Sequence, residues 1–244
     1  MPAVAELEFS RPPNTTSMNI PTSRLRRNNT HRLIPSKYSA GDESVLTRIA
    51  DDAAHLADIF AFDDATNDRL LAENRQHEGI GVRELAFGFR YASIVNASFV
   101  HAHPLGGRFN GPHRGAWYAG FELSTSQAEV TFHKTLQLAE IRRFVDVVTY
   151  DDYQADFNAE FHDLRNLRGS KAYLDPNSYM ESQLLAENLL ASGSSGVVYP
   201  SVRKLDGTCI CCFRPALVTN VRKGATYEFR WDGQPAPKIR KLSN

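Results

Sequence analysis

Gly106–Val130, GGRFNGPHRGAWYAGFELSTSQAEV, is the stretch that decides how this chain is read. Its opening glycines let the backbone turn sharply or pass close to a ligand. Arg108 follows at once, and its planar guanidinium can clamp a phosphate or carboxylate through two parallel hydrogen bonds. Ala116–Phe121 is then predicted to be a buried strand carrying Tyr118. A helix is predicted from Ser126 to about Glu140, with Glu129 in its first turn. Each residue has a bland role available. Glu129 can complete a Ser-x-x-Glu capping box with Ser126, Arg108 can be a surface arginine, and Tyr118 a core aromatic.

Downstream, GVVYPSVR over Gly196–Arg203 reads as a buried strand ending at Tyr199 and Pro200. Ser201 stands just past its end, where side chains line clefts. Further strands are predicted at Arg143–Tyr150, Thr208–Phe213 and Tyr227–Trp231. Asp151, Asp152 and Asp156 read as a solvated loop. A second helix is predicted to begin at Ser178, with Ser178 and Glu181 as its capping box. Strands and helices mix without a βαβ rhythm, which predicts an α+β fold.

Upstream, residues 1–40 are rich in Pro, Asn, Ser, Thr and Arg and read as a poorly ordered tail, with Arg24, Arg26, Arg27 and Arg32 forming a local basic patch. Residues 41–80 are predicted to form a helical extension. Leu46, Ile49, Ala53, Leu56 and Phe60 make one apolar stripe on it, suited to packing in cis or to a homodimer. The main domain is expected over 81–244.

The chain holds 28 Lys plus Arg against 28 Asp plus Glu, so the basic excess of a dedicated nucleic-acid binder is missing. Its three cysteines, Cys209, Cys211 and Cys212, crowd one predicted strand. Alternate strand residues share a face, so at most Cys209 and Cys211 could ligate together, and buried inert thiols are expected instead of a metal. His101, His103 and His113 read as loop histidines. No apolar run is long enough to span a membrane, and the first residues lack a signal layout, so a cytoplasmic protein is expected.

Taken together these motifs resemble the RES family, named for its Arg, Glu and Ser. The matching pieces are Gly106-Gly107-Arg108-Phe109-Asn110, Trp117-Tyr118, Ala128-Glu129, Gly196-Val197-Val198-Tyr199-Pro200-Ser201 and Phe213-Arg214-Pro215-Ala216-Leu217, in order across roughly residues 83–235. The resemblance implies an ADP-ribosyltransferase-like split mixed β-sheet with flanking helices. It implies a cleft that binds NAD⁺ as substrate, with no resident cofactor, and inorganic phosphate as a candidate co-substrate. It also implies a toxin paired with a Xre-type antitoxin protein. The site residues carried over are Arg108, Tyr118, Glu129 and Ser201, with Arg90 and Asn110 as further NAD⁺-binding positions. In that scheme Glu129 stabilises a ribosyl cation, Arg108 holds the pyrophosphate and Tyr118 packs on the nicotinamide or its ribose. Ser201 bonds the nicotinamide amide or a phosphate. A protein ADP-ribosyltransferase and a catalytically silent RES-fold partner-binding module are the alternatives.

Overall fold

The computed structural model describes residues 19–39 and 79–243. The stripe at Leu46–Phe60 lies outside the described residues. The order is β1 (Thr22–Pro35), α1 (Ala92–Val100), β2 (Trp117–Gly120), α2 (Leu123–Glu140), β3 (Val145–Asp163), α3 (Met180–Ala191), β4 (Gly196–Pro200), β5 (Thr208–Cys212), β6 (Thr219–Asp232) and β7 (Lys238–Lys241). The fold is α+β. Seven strands form one mixed sheet in the order β1-β2-β5-β4-β3-β6-β7, and β1 also pairs with β3. Among the described strands only β3 and β4 run parallel.

Side-chain alternation sorts the core onto two faces. Trp117, Ala119, Val198, Ile210 and Cys212 share one cluster with Phe157, Phe161 and the α1 residues Ile94, Val95 and Phe99. Val197, Tyr199, Cys209 and Cys211 face the other way and pack with Phe109 and the α3 residues Ala186 and Leu189. A third cluster places α2, through Leu138, on Tyr150, Phe229 and Trp231. The three cysteines are therefore buried free thiols divided between two clusters.

The expected tail over residues 1–40 is corrected where it is described, at β1, and residues 1–18 lie outside the described residues. Thr22–Pro35 pairs antiparallel with β3, from Thr22↔His162 to Pro35↔Tyr150. The run looks tail-like because few of its residues are apolar, but Thr30 donates to Ala155 O, His31 pairs with Asp152 and Arg32 donates to Tyr118 O. Leu25, Thr30 and Leu33 are buried. The Arg27 and Arg32 guanidiniums cover the Phe121 and Trp117 rings at 4.9 and 5.1 Å. Arginine stems and planes supply apolar contact that residue counts miss. Half of the expected basic patch is thus turned into the fold, and burial lowers the Arg32 guanidinium to about 10.

The expected acidic loop after Tyr150 is corrected as well, because β3 runs on to Asp163. Asp151 and Asp152 are 2% and 1% exposed and fully partnered. Asp152 pairs with His31 Nδ1 at 2.9 Å, and Gln154 donates to it at 3.0 Å. Asp151 accepts from Thr226 at 2.6 Å, from Lys223 at 2.8 Å and from Ser39. Burial pushes Asp151 up, but its Lys223, Ser39 and Thr226 partners outweigh that and hold it below the usual carboxylate range. Asp156 accepts from the Asn29 N–H and from Asn220 and Arg222. Register shifts between β3 and β6 at Asp151/Tyr153 and Gln154/Asp156 accommodate these carboxylates within the ladder.

Two helix starts also differ from expectation. Ser178 and Glu181 form no capping box: α3 begins at Met180 after Tyr179, with no side-chain cap. The helix carrying Glu129 begins at Leu123, so Glu129 ends its second turn rather than sitting in its first. Ser126 does not cap it. The Ser126 hydroxyl donates to His31 O at 2.5 Å and accepts from Gly120 N–H at 2.9 Å. Helix α1 was not foreseen, since ASIVNASFV lacks a polar stripe. Its buried Asn96 exchanges two hydrogen bonds with the Ala86 backbone, at 2.9 and 2.8 Å.

If β1 is part of the core, Leu25→Ala should destabilise the protein by about 2–5 kcal/mol, as for other buried leucines. Urea unfolding measures this, and a change near zero would return Thr22–Pro35 to the status of a tail.

Candidate active site

The glycine turn is built around one hydroxyl. Tyr118 points from β2 so that its OH accepts from Phe109 N–H at 2.8 Å and donates to Asn110 Oδ1 at 2.8 Å. Gly107 makes room, since a Cβ there would stand 2.9 Å from the Tyr118 OH and 2.5 Å from Asn110 Oδ1. Gly106 has φ +69°, and a Cβ would meet Asn110 O at 2.2 Å. Gln183 of α3 clamps the turn from outside, donating to Leu105 O and Gly107 O at 2.9 Å each. Burial pushes the Tyr118 hydroxyl well above its ordinary value, so it remains a neutral donor.

The turn aims Arg108 inward, 7% exposed. Its Nη1 donates to Asp175 O at 2.7 Å and Tyr173 O at 3.3 Å, and its plane lies 4.6 Å from the Tyr179 ring centroid. The Nε and Nη2 edge has no hydrogen-bond partner among the described residues.

Glu129 faces Ser201. The Ser201 hydroxyl donates to Glu129 Oε1 at 2.6 Å and accepts the backbone N–H groups of Arg203 and Lys204 at 3.1 Å each. The Cys209 thiol reaches the same oxygen at 3.7 Å. Burial, then the Glu129 charge, push this thiol well up, so it stays protonated and is no nucleophile. Tyr199 closes the floor, its ring 4.8 Å from Phe109, and burial raises its hydroxyl, with Cys209 and Glu129 adding to the rise. Glu129 Oε2 has no hydrogen-bond partner among the described residues.

His133 stands one turn beyond Glu129 on α2, exposed. Crowding by protein atoms lowers its titration. The Glu129 charge raises it, whereas Arg203, Arg108 and His103 lower it further. A shallow groove of about 500 Å³ lies on the neighbouring flank of α2, between Phe132, Thr131, Val202, Arg203 and Pro235. Its lining takes in Ala128 and Thr131 on either side of Glu129 but not Glu129 itself.

The RES domain model matches residues 82–232. The chain belongs to the RES domain family. Among solved structures it resembles a chain of the M. tuberculosis MbcT–MbcA toxin–antitoxin complex, at 14% identity and a TM-score of 0.39, over 55% of this chain and 74% of that one. Comparison with curated proteins gives no match.

The RES pattern read from the sequence is thus resolved into two hydrogen-bonded units, Arg108 with the Tyr118 turn and Glu129 with Ser201. Asn110, expected to contact NAD⁺, spends its amide inside the turn, donating to Gly111 O at 2.7 Å and Arg114 O at 3.0 Å. Arg90 is exposed on the turn into α1, over the ring of Tyr91 at 4.8 Å. Tyr91 packs on the Trp117 core, not on the Tyr199 core behind Glu129. Sequence reasoning missed Tyr199, Cys209, His133 and the Tyr173–Pro176 segment as surroundings of the site. The i+4 spacing of Glu129 and His133 was the available signal for the histidine. Among the described residues no group of three His, Cys, Asp or Glu is arranged for a metal, and no helix is long and apolar enough to cross a membrane.

The imidazole of His133 should titrate below the ordinary histidine range by NMR. Arg203→Ala removes a like charge and should move it up, whereas Glu129→Gln removes an opposite charge and should move it further down. A His133 indifferent to both changes would mean that these groups do not share a field.

Proposed function

We propose that this RES domain cleaves the nicotinamide–ribose bond of NAD⁺, as a glycohydrolase or a phosphorylase, and acts as a toxin held in check by an antitoxin protein. The observation that carries the chemistry is Glu129, with one oxygen fixed by Ser201 at 2.6 Å and the other without a hydrogen-bond partner among the described residues. Nicotinamide leaves a cationic pyridinium as a neutral molecule, so no strong general acid is required. Positive charge develops on the ribose instead, and one preorganised carboxylate stabilises it. The free Glu129 oxygen would face that charge, or hold a ribose hydroxyl or the attacking nucleophile. A usual glycosidase needs a second carboxylate as acid, and this reaction does not.

Arg108 suits the pyrophosphate. Among the described residues only its Nη1 makes hydrogen bonds, and the remaining edge matches a phosphoryl oxygen pair. Tyr118 offers its ring, since its hydroxyl is committed to the turn. Ser201, in this reading, acts on Glu129. Its proton goes to Glu129 and its lone pairs to two backbone N–H groups, so it orients the carboxylate instead of donating to the nicotinamide amide or a phosphate. The toxin role, with its antitoxin, rests on RES family membership.

NAD⁺ loss by the purified chain, followed by chromatography with and without inorganic phosphate, tests the chemistry. Nicotinamide should appear, with rates about 10²–10³ lower in Glu129→Gln, the range for losing one preorganised electrostatic group. Faster loss with phosphate, with a phosphorylated product, would mark a phosphorylase. Intact NAD⁺ under both conditions would sink the proposal. Induced expression should halt growth for the wild type and not for Glu129→Gln, and equal growth of both would remove the toxin role.

A further inference from the structure

We infer that Arg203 is a positioning residue for the Glu129 carboxylate and acts through Ser201. The inference rests on the proposed role of Glu129. Arg203 touches three separate parts of the site. Its backbone N–H, with that of Lys204, donates to Ser201 Oγ. With the lone pairs so occupied, the hydroxyl proton is directed to Glu129 Oε1. The Arg203 guanidinium lies 3.3 Å from the Phe132 ring centroid, three residues after Glu129 on α2. Its Nη2 donates to Pro176 O at 2.5 Å.

These contacts pin the Ser201 turn at once to the helix that carries Glu129 and to the segment that Arg108 holds through Tyr173 O and Asp175 O. The turn has a backbone anchor at its neck, where Ser201 N–H donates to Gly207 O at 2.8 Å and Gly207 N–H to Lys204 O at 3.0 Å. Its tip is exposed, with Leu205 at 87%. The Arg203 side chain thus adds a second hold on α2 beside the Ser201–Glu129 bond and fixes the turn sideways. A planar guanidinium lies flat on a ring while donating along its edge, a fixed geometry that a point-charge ammonium does not reproduce. A shift of the turn by a fraction of an ångström would loosen the Ser201–Glu129 bond and let the carboxylate rotate.

The test uses the full chain as wild type, Arg203→Ala, Arg203→Lys, Ser201→Ala and the double variant Ser201→Ala/Arg203→Ala. With NAD⁺ as substrate, Arg203→Ala should lower kcat about 10- to 100-fold, the scale of a small misplacement of a reacting group. KM should stay within about twofold, because no ligand contact is lost. Arg203→Lys should not restore the rate. The double variant should be no slower than Ser201→Ala, since both act on one bond. A raised KM with kcat kept, or additive losses, would overturn the inference and make Arg203 a substrate-binding residue. A second readout needs no turnover: the ¹³C resonance of the Glu129 carboxyl carbon. It should move in the same direction in Ser201→Ala and Arg203→Ala, while both variants keep the wild-type unfolding transition to within a few degrees. A resonance unmoved by Arg203→Ala overturns the inference. Matching shifts in a chain that leaves NAD⁺ intact would uphold it and sink the proposed function alone.

Discussion

His31 is held at three points, and the site is assembled from them. Its imidazole pairs with the buried Asp152 of β3, its carbonyl accepts the Ser126 hydroxyl, and its Cα faces Gly120 of β2. The first contact ties β1 to the longest strand. The second and third fix the sharp passage from β2 into α2. Tyr118 lies on one side of that passage and Glu129 on the other. The position of the carboxylate relative to the Arg108 turn is therefore set by a strand that lies outside the matched RES segment at 82–232. Hydrogen bonds made in a buried setting carry this geometry, because losing one partner leaves the other unsatisfied.

What could be read from the sequence followed what side-chain pattern encodes. The strands at Trp117–Gly120, Gly196–Pro200 and Thr208–Cys212 are short and largely apolar, and they stand almost where expected. Arg108, Tyr118, Glu129 and Ser201 were legible because their motifs have fixed spacing. Strand β1 was not, because an arginine counts as polar in any composition while its stem and plane cover tryptophan and phenylalanine rings. Asp151 and Asp152 misled for a related reason: burial of a carboxylate depends on partners from β1 and β6 that are distant in sequence. Helix α1 was missed because a helix buried nearly all round loses the periodicity that announces helices.

The roles of the motif residues were less legible than their positions. Asn110 and the Tyr118 hydroxyl satisfy each other and the turn, and Ser201 serves Glu129. A motif marks which residue types a fold requires. Only geometry separates those that meet a ligand from those that hold the ones that do. Arg108 and Arg203 both lend guanidinium protons to carbonyls of the Tyr173–Pro176 segment, so the backbone of that segment is part of the electrostatics of the site.

The sheet ends at β7, where Lys238, Arg240 and Lys241 surround one isoleucine and every residue is exposed. An incoming strand from another copy would have to lay its backbone along three cations, two of them already engaged by Asp232 and Glu228. Such an edge resists extension by identical strands. The fold thus terminates its own hydrogen-bonded ladder with charge, which would let a chain this rich in β-structure accumulate in a cell without being drawn into fibres along this edge.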